Sequence, residues 1–423
     1  MKTVRIGYLT RVEGKAELDL TIDGEEVKDL KLKIYEEPRF FEALLIGRSF
    51  EEAVELTSRI CGICYVTHQL SSVRAVEKVL GVEVNDRIRL LRRLIAIGGI
   101  ISSHCLHLYL LALPDVLGLP DVFTADPKLL VKALRLKAVG DKLVELIGGR
   151  GVHPVSIVVG GFTYTPPKDK LMELAQSLKE AKKTAVESVP LFSADKFPKF
   201  EVDCERVALS NPEEYAINEG RVKSNKGLDI SEDEFRAFIE ETQVPHSTAK
   251  HSKVKGRGSY MVGPLSRVNL NFSQLSDDAR EAAEASGFKF PSSNPFAANM
   301  ARLLEVISLI DEALELIDAY REGPVRVPFQ VKGGSAGAIT EAPRGMNYHW
   351  YSIGDDGLIK AADISPPTCQ NARRVEDDLR EYVPTIAHLS EKEIASRCAM
   401  LIRAYDPCIS CAVHSIEVKV KKL

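Results

Sequence analysis

Asp406-Pro-Cys408-Ile-Ser-Cys411-Ala-Val-His414, near the end of a 423-residue chain, repeats the cysteine spacing of Arg59-Ile-Cys61-Gly-Ile-Cys64 near its start. A Cys-x-x-Cys turn sets two sulfurs on one side of a tight bend. Each pair can chelate a cation, and the two together make a soft four-thiolate site. Cys61 and Cys408 lie 347 positions apart, whereas structural zinc sites keep their pairs roughly 15–20 residues apart. A local zinc knuckle does not fit, so the chain must fold back to bring its two ends onto one metal. Zinc, nickel and iron all remain compatible with such donors.

The other cysteines, at 105, 204, 369 and 398, stand singly. Without a partner at ligand spacing, each reads as a small buried hydrophobe. The chain therefore carries no motif for an iron–sulfur relay, and electrons exchanged at the paired cysteines would leave through a partner.

Composition is that of a globular protein, 45% hydrophobic and 27% charged, with a net charge of −4. That balance argues against nucleic acid as a partner, and the Lys-rich ending Glu417-Val-Lys-Val-Lys-Lys-Leu423 is too short to be a basic patch. Met1-Lys-Thr-Val-Arg-Ile-Gly lacks the apolar core of a signal peptide. The most apolar stretch, Leu94 to Leu119, is interrupted by Gly98, Gly99, His104, His107, Pro114 and Asp115, against a membrane span. Paired cysteines without a secretory signal suit a reducing cytoplasm.

Alternation over residues 3–36 around Asp23-Gly24 predicts a β-hairpin. Apolar periodicity predicts helices from Arg39 to Ile60, onward from Cys64 to Leu80, and then over Arg87–Leu113, Pro127–Leu146, Lys168–Val189, Asn294–Glu322, Asn371–Glu381 and Ser390–Tyr405. Strands are expected over Ala336–Ile364 around a Gly354-Asp-Asp-Gly357 turn. The expected class is α+β, a single 1–423 unit: a β-rich part at 1–37, a helical core at 39–189 and 294–411, and an α/β insertion at 190–263. Long helices form its centre, with small β-rich elements near both ends.

The flanks of the paired cysteines narrow the chemistry. Arg59-Ile-Cys-Gly-Ile-Cys64 with His68, and Arg403-Ala-Tyr-Asp-Pro-Cys-Ile-Ser-Cys-Ala-Val-His414, resemble the two signatures of the large, catalytic subunit of nickel–iron hydrogenases. Thr10-Arg-Val-Glu13-Gly, Arg39-Phe-Phe-Glu42 with Gly47-Arg48, His104-Cys-Leu-His107-Leu-Tyr and Glu341-Ala-Pro-Arg344-Gly extend the likeness in family order over nearly the whole chain. The Ala-Tyr-Asp-Pro-Cys-Ile-Ser-Cys ending and His246-Ser-Thr-Ala-Lys-His251 look most like the cytosolic NAD(P)-linked group, which includes archaeal sulfhydrogenases.

The resemblance implies reversible cleavage of dihydrogen, and it implies roles residue by residue. Cys61 and Cys408 are expected as terminal nickel ligands, with Cys64 and Cys411 bridging to an iron that carries carbon monoxide and cyanide. Glu13 is expected to relay the proton, and His68 to hydrogen-bond a bridging sulfur. Arg344 is expected over the open metal position with Asp406 and Asp115 around its guanidinium, while Pro343, Pro367 and Thr368 line the diatomic ligands. Glu42, His414 and the carbonyl of Ile364 are expected to hold magnesium. His104 and His107 read as core histidines rather than ligands.

The implied partners are a small iron–sulfur subunit, a flavin (FAD) subunit that binds NAD(P), and an additional iron–sulfur subunit. Nickel-insertion proteins and a maturation protease are implied as well, the latter cutting after His414 and removing the tail 415–423. Since no Gly-x-Gly-x-x-Gly stretch is present, nucleotide binding is expected elsewhere. The rival readings are an enzyme coupled to a deazaflavin or a disulfide reductase, a non-catalytic quinone-binding relative as in respiratory complex I, and a zinc-stapled scaffold.

Overall fold

In the computed structural model, which describes residues 2–123 and 127–414, the expected hairpin is present and gains a third strand. Strands β1 (Lys2–Ile6), β2 (Ala16–Asp23) and β3 (Glu26–Ile34) form an antiparallel sheet in that order. Along β2, alternate residues (Ala16, Leu18, Leu20, Ile22) are buried, so one face of the sheet packs on the core.

The helix expected from Arg39 to Ile60 is broken into α1 (Phe41–Leu45) and α2 (Phe50–Thr57). Gly47 adopts φ +79, and its amide donates to Ile359 O at 2.9 Å. A left-handed glycine followed by a fresh capping box, Ser49 with Glu52, ends one helix and starts the next. Apolar periodicity alone does not register that break.

Helix α3 (Tyr65–Leu80) starts directly at Cys64 and is buried along almost its whole length. Helix α4 (Asp86–Leu106) runs into a π-helical stretch, His107–Ala112, and then α5 (Leu113–Leu117). This composite helix is long and apolar enough to cross a membrane, yet most of it is buried inside the protein as a core helix. Helix α6 (Pro127–Gly148) packs beside it and α7 (Lys168–Glu187) packs on α6, with the small ribbon of β4 (Ile157–Val158) and β5 (Gly161–Phe162) between them in sequence.

The polar middle of the chain folds as two small sheets. Strands β6 (Glu205–Ser210), β7 (Arg221–Ser224) and β8 (Asp229–Ile230) pair in sequence. Helix α8 (Phe235–Phe238) leads to a ribbon of β9 (Ile239–Thr242) and β10 (His251–Val254), and β11 (Tyr260–Met261) joins β6 in parallel. Helices α9 (Pro264–Asn271), α10 (Asp277–Ala285) and the buried α11 (Ala298–Ala319) follow.

Strands β12 (Gly334–Ala342), β13 (Gly345–Ile353) and β14 (Ile359–Ser365) form an antiparallel meander on α3. The chain then closes with helices α12 (Pro367–Ile386), α13 (Glu391–Ala404) and α14 (Ile409–Ala412). The last β element thus falls over the expected Ala336–Ile364 stretch, and the described chain ends in the helices expected after it. Helix α12 also exceeds the expected 371–381, because Pro367 at its first turn needs no hydrogen-bonded amide. The tail 415–423 lies outside the described residues.

Candidate metal centre

Each cysteine pair sits where extended backbone turns into a helix. Cys61 is extended, with φ −146 and ψ 142, and its sulfur accepts the amides of Ile63 and Cys64 at 3.2 and 3.3 Å. Cys408 is extended after Pro407 and caps α14, which carries Cys411. An isolated bridge between Glu13 and Cys408 joins the second turn to the N-terminal segment. Gly14, at φ +89, allows the approach, since a Cβ there would lie 2.4 Å from Ile409 Cβ.

The four sulfurs converge. Cys61 and Cys408 are 3.4 Å apart, Cys64 and Cys411 3.2 Å, and Cys408 and Cys411 2.9 Å. All four are buried and unbridged, and one ligand atom from each lies within 4.8 Å of the others. Thiols this close titrate as a unit. Hydrogen bonds from Cys408 and the other sulfurs hold Cys61 well below the usual thiol range. Cys408 is pushed well above that range, first by its hydrogen bond with Cys411 and then by its other sulfur neighbours. A buried cluster of four soft donors fits a bound metal that takes thiolates.

Arg39, inside the Arg39-Phe-Phe-Glu42 block, braces both turns. Its guanidinium donates to the carbonyls of Ile60 and Ser410, which adjoin Cys61 and Cys411. Thr368 accepts the amide of Cys408 at 2.9 Å, with Pro367 opening α12 beside it.

Arg344 lies in the turn between β12 and β13, after Pro343. Its Nε donates to Asp406 O at 2.8 Å and a terminal nitrogen lies 3.2 Å from Asp406 Oδ1. The remaining nitrogen, Nη1, is buried without a partner among the described residues. Burial opposes the charge, but Asp406 and the sulfurs of Cys408, Cys64 and Cys61 outweigh it and hold Arg344 firmly protonated. Asp406 has the left-handed φ of 53. Burial disfavours its charge too, yet Arg344 and His107 keep the carboxyl well below the usual range.

Asp115 is not at Arg344. Its carboxylate is taken by Arg403, at 2.6 and 2.8 Å, and by Arg11. The π-helical stretch and Pro114 place Asp115 in the first turn of α5, facing α13 and the 10–11 segment. There it ties three elements together.

His68 turns its Nδ1 to His349 Nε2 at 3.0 Å and to Asn347 at 3.3 Å, so its described hydrogen bonds run to β13 and not to a sulfur. Burial pushes it down to about 4. His104 and His107 are buried, as expected of core histidines, but both belong to a polar network. His104 meets Glu305 at 2.6 Å, and His107 lies 3.0 Å from both Asn299 and Asp406. Arg267 bridges Glu305 and Glu341 in the same layer.

A second group of hard and imidazole donors lies at His414. Its Nδ1 is 3.2 Å from Glu42 Oε1 without hydrogen-bond geometry, and it is buried with no other partner among the described residues. Such an orphaned nitrogen beside a carboxylate fits a cation. Ile364 reaches Glu42 through its amide, at 2.9 Å. Glu241 and Cys369 also have ligand atoms within 4.8 Å of His414. Neither was singled out by sequence, because single residues on β9 and α12 carry no spacing signal.

A model of the nickel-dependent hydrogenases matches residues 39–132 and 260–414, which include all four clustered cysteines. The chain belongs to the nickel-dependent hydrogenase family. Sulfhydrogenase 1 subunit alpha of Pyrococcus furiosus is 36% identical over 423 residues, covering 98% of both chains. Sulfhydrogenase 2 subunit alpha of the same organism is 35% identical, covering 98% of this chain and all of the relative. A crystal structure of an NAD+-reducing [NiFe]-hydrogenase in its H2-reduced state superposes with a TM-score of 0.89 at 25% identity, over 98% of this chain and 100% of that one. As a nickel-dependent hydrogenase the protein is an oxidoreductase acting on dihydrogen, and its four-cysteine cluster fits a nickel–iron centre.

Proposed function

We propose that this chain is the catalytic subunit of a cytoplasmic hydrogenase that exchanges electrons between dihydrogen and NAD(P), with sulfur or polysulfide as a further acceptor. The single observation that carries the reading is a carboxylate bonded to one of the four clustered sulfurs: Cys408 Sγ lies 3.3 Å from Glu13 Oε2. Cys61 and Cys408 would hold nickel, and Cys64 and Cys411 would bridge it to iron carrying carbon monoxide and cyanide. A nickel–iron pair bound there supplies the heterolytic splitting of dihydrogen.

The chain's own residues then handle the proton. Cys408 Sγ passes it to Glu13 Oε2, and the Ser410 hydroxyl donates to Glu13 Oε1. The same hydroxyl is 3.0 Å from Glu36 Oε1, and Glu36 is only partly buried. A hydroxyl both donates and accepts, so this row can carry a proton from a buried thiol toward solvent. Arg344, with Nη1 free of partners among the described residues, can donate to a cyanide nitrogen at the metal. Thr368 keeps its own hydroxyl proton for a second cyanide, because it accepts from Cys408. Glu42, His414 and the Ile364 carbonyl are read as a magnesium site.

Electrons would leave through a small iron–sulfur subunit, a further iron–sulfur subunit and a flavin subunit that reduces NAD(P). The alpha-subunit relatives and the fold match support that arrangement. The purified complex should contain nickel and iron in equal amounts, show infrared carbonyl and cyanide bands, and reduce NAD+ or NADP+ under hydrogen. Zinc without those bands would overturn the site, and reduction of a deazaflavin but not nicotinamide would overturn the acceptor.

A further inference from the structure

Another set of ligating side chains converges away from the sulfurs and from His414. His246 lies in the loop between β9 and β10, His251 opens β10, and Glu376 is on α12. One ligand atom from each lies within 4.8 Å of the others. His246 Nε2 is 2.8 Å from Glu376 Oε1, and the two imidazole rings stand edge to face with centroids 5.6 Å apart.

The group is built into the fold. The 243–250 loop is pinned at Thr248, whose amide and hydroxyl donate to Ile34 O at 2.8 and 3.0 Å. Gln243 Nε2 crosses the loop to Ser247 O at 2.6 Å. Glu376 Oε1 also accepts the amide of Leu32, which fixes the carboxylate between β3 and α12. His251 and Glu376 are buried, while His246 is partly open to solvent.

A plain ion pair accounts for only part of this arrangement. His246 with Glu376 would satisfy itself, but His251 Nδ1 is buried with no hydrogen-bond partner among the described residues. Leaving such a nitrogen dry costs about 1–3 kcal/mol unless something binds it.

We propose that His246, His251 and Glu376 form a divalent-cation site of the zinc class that clasps the β9–β10 ribbon onto α12. Two imidazoles and one carboxylate are borderline donors suited to Zn2+, with water from the His246 side completing the shell. Donors around zinc stand about 3.3 Å apart when bonds are about 2.0–2.1 Å. The three groups need only close in from their present spacing, within the reach of side-chain rotation. The site holds the ribbon in place and takes no part in hydrogen chemistry.

The test uses the assembled hydrogenase, stripped of loosely held metal with a mild chelator and reloaded with zinc chloride. About one zinc per chain should be retained beyond nickel and iron, with an absorption-edge signature of nitrogen and oxygen at about 2.0–2.1 Å and no sulfur shell at about 2.3 Å. His246→Gln and His251→Phe should each lose that zinc while keeping nickel content and hydrogen uptake. His246 is partly exposed, so its variant should fold even if the buried His251 variant does not. Failure of the wild-type protein to retain zinc, a sulfur shell around it, or full zinc in His246→Gln would overturn the proposal.

Discussion

Cys408 and Glu13 meet side chain to side chain, and the residue after Cys408 adds a main-chain bond to Glu13. The thiol lies 3.3 Å from the carboxylate, and the Glu13 carbonyl accepts the amide of Ile409 at 3.0 Å. The main-chain bond anchors the residue, and the Ser410 amide donates to the same carboxylate oxygen at 2.9 Å, which holds it beside the sulfur.

Glu13→Gln keeps the shape and the main-chain bond to Ile409 but cannot take a proton from the sulfur. Hydrogen uptake with an artificial dye should fall by about 10²–10⁴-fold. Nickel and iron content should be unchanged. Loss of metal with the activity would mean that Glu13 supports the site's assembly instead.

Ser410→Ala removes the hydroxyl between Glu13 and Glu36 and leaves every sulfur in place. Turnover should drop by about tenfold or more, and the drop should show in hydrogen–deuterium exchange as well as in dye reduction. An unchanged exchange rate would route the proton elsewhere.

Arg344→Lys keeps the charge but loses the two-point contact with Asp406. Activity should fall by about 10²-fold with the protein still folded. Arg344→Met leaves the buried Asp406 without its main partner and should lower stability by about 3–5 kcal/mol in thermal unfolding.

Asp115→Asn should weaken the fold and spare the chemistry. The carboxylate is shared by Arg403 and Arg11 at a largely buried junction, so a loss of about 1–3 kcal/mol is expected. Hydrogen uptake per nickel should match the unaltered enzyme. A selective loss of turnover would return Asp115 to the active site.

Stability should fall as pH drops from about 6.5 toward 4. Burial pushes His68 and His104 down to about 4 and His349 well below its usual range. The folded protein keeps these rings neutral while the unfolded chain takes up protons below about 6.5. For His68 and His104 that contribution is on the order of 3 kcal/mol each, present above that pH and lost on acidification, and His349 acts in the same direction. Asp378, raised to about 6 by burial, works the opposite way between its unfolded value and pH 6. The histidines outnumber it. Denaturant midpoints at pH 7.5 and pH 5 measure the difference, and equal midpoints would contradict it.

Local pattern carried much of this structure into view. Alternation around Asp23-Gly24 marked the β2–β3 pairing, and the cysteine spacing with its flanks marked the metal centre. What local pattern missed was set by tertiary packing. Gly47 splits a helix because its amide meets Ile359, more than three hundred residues away. Ser410 and Glu36, Glu241 and His414, and His251 and Glu376 become neighbours only after the sheets and α12 assemble. Asp115 went to a different arginine because the π-helical turn reset the direction of the helix end, and no hydrophobic periodicity records such a turn.

The separation of 347 positions between Cys61 and Cys408 also governs when this site can come into being. A ribosome must add those 347 residues after Cys61 before the second pair begins to emerge, so no shorter N-terminal intermediate holds a complete set of donors. A metal joining the pairs closes one very large loop, and a cross-link of that span restricts the unfolded chain by about 5–6 kcal/mol in the chain-entropy picture. The centre therefore forms only after the chain between its two pairs has been made, and it then locks what has folded in between.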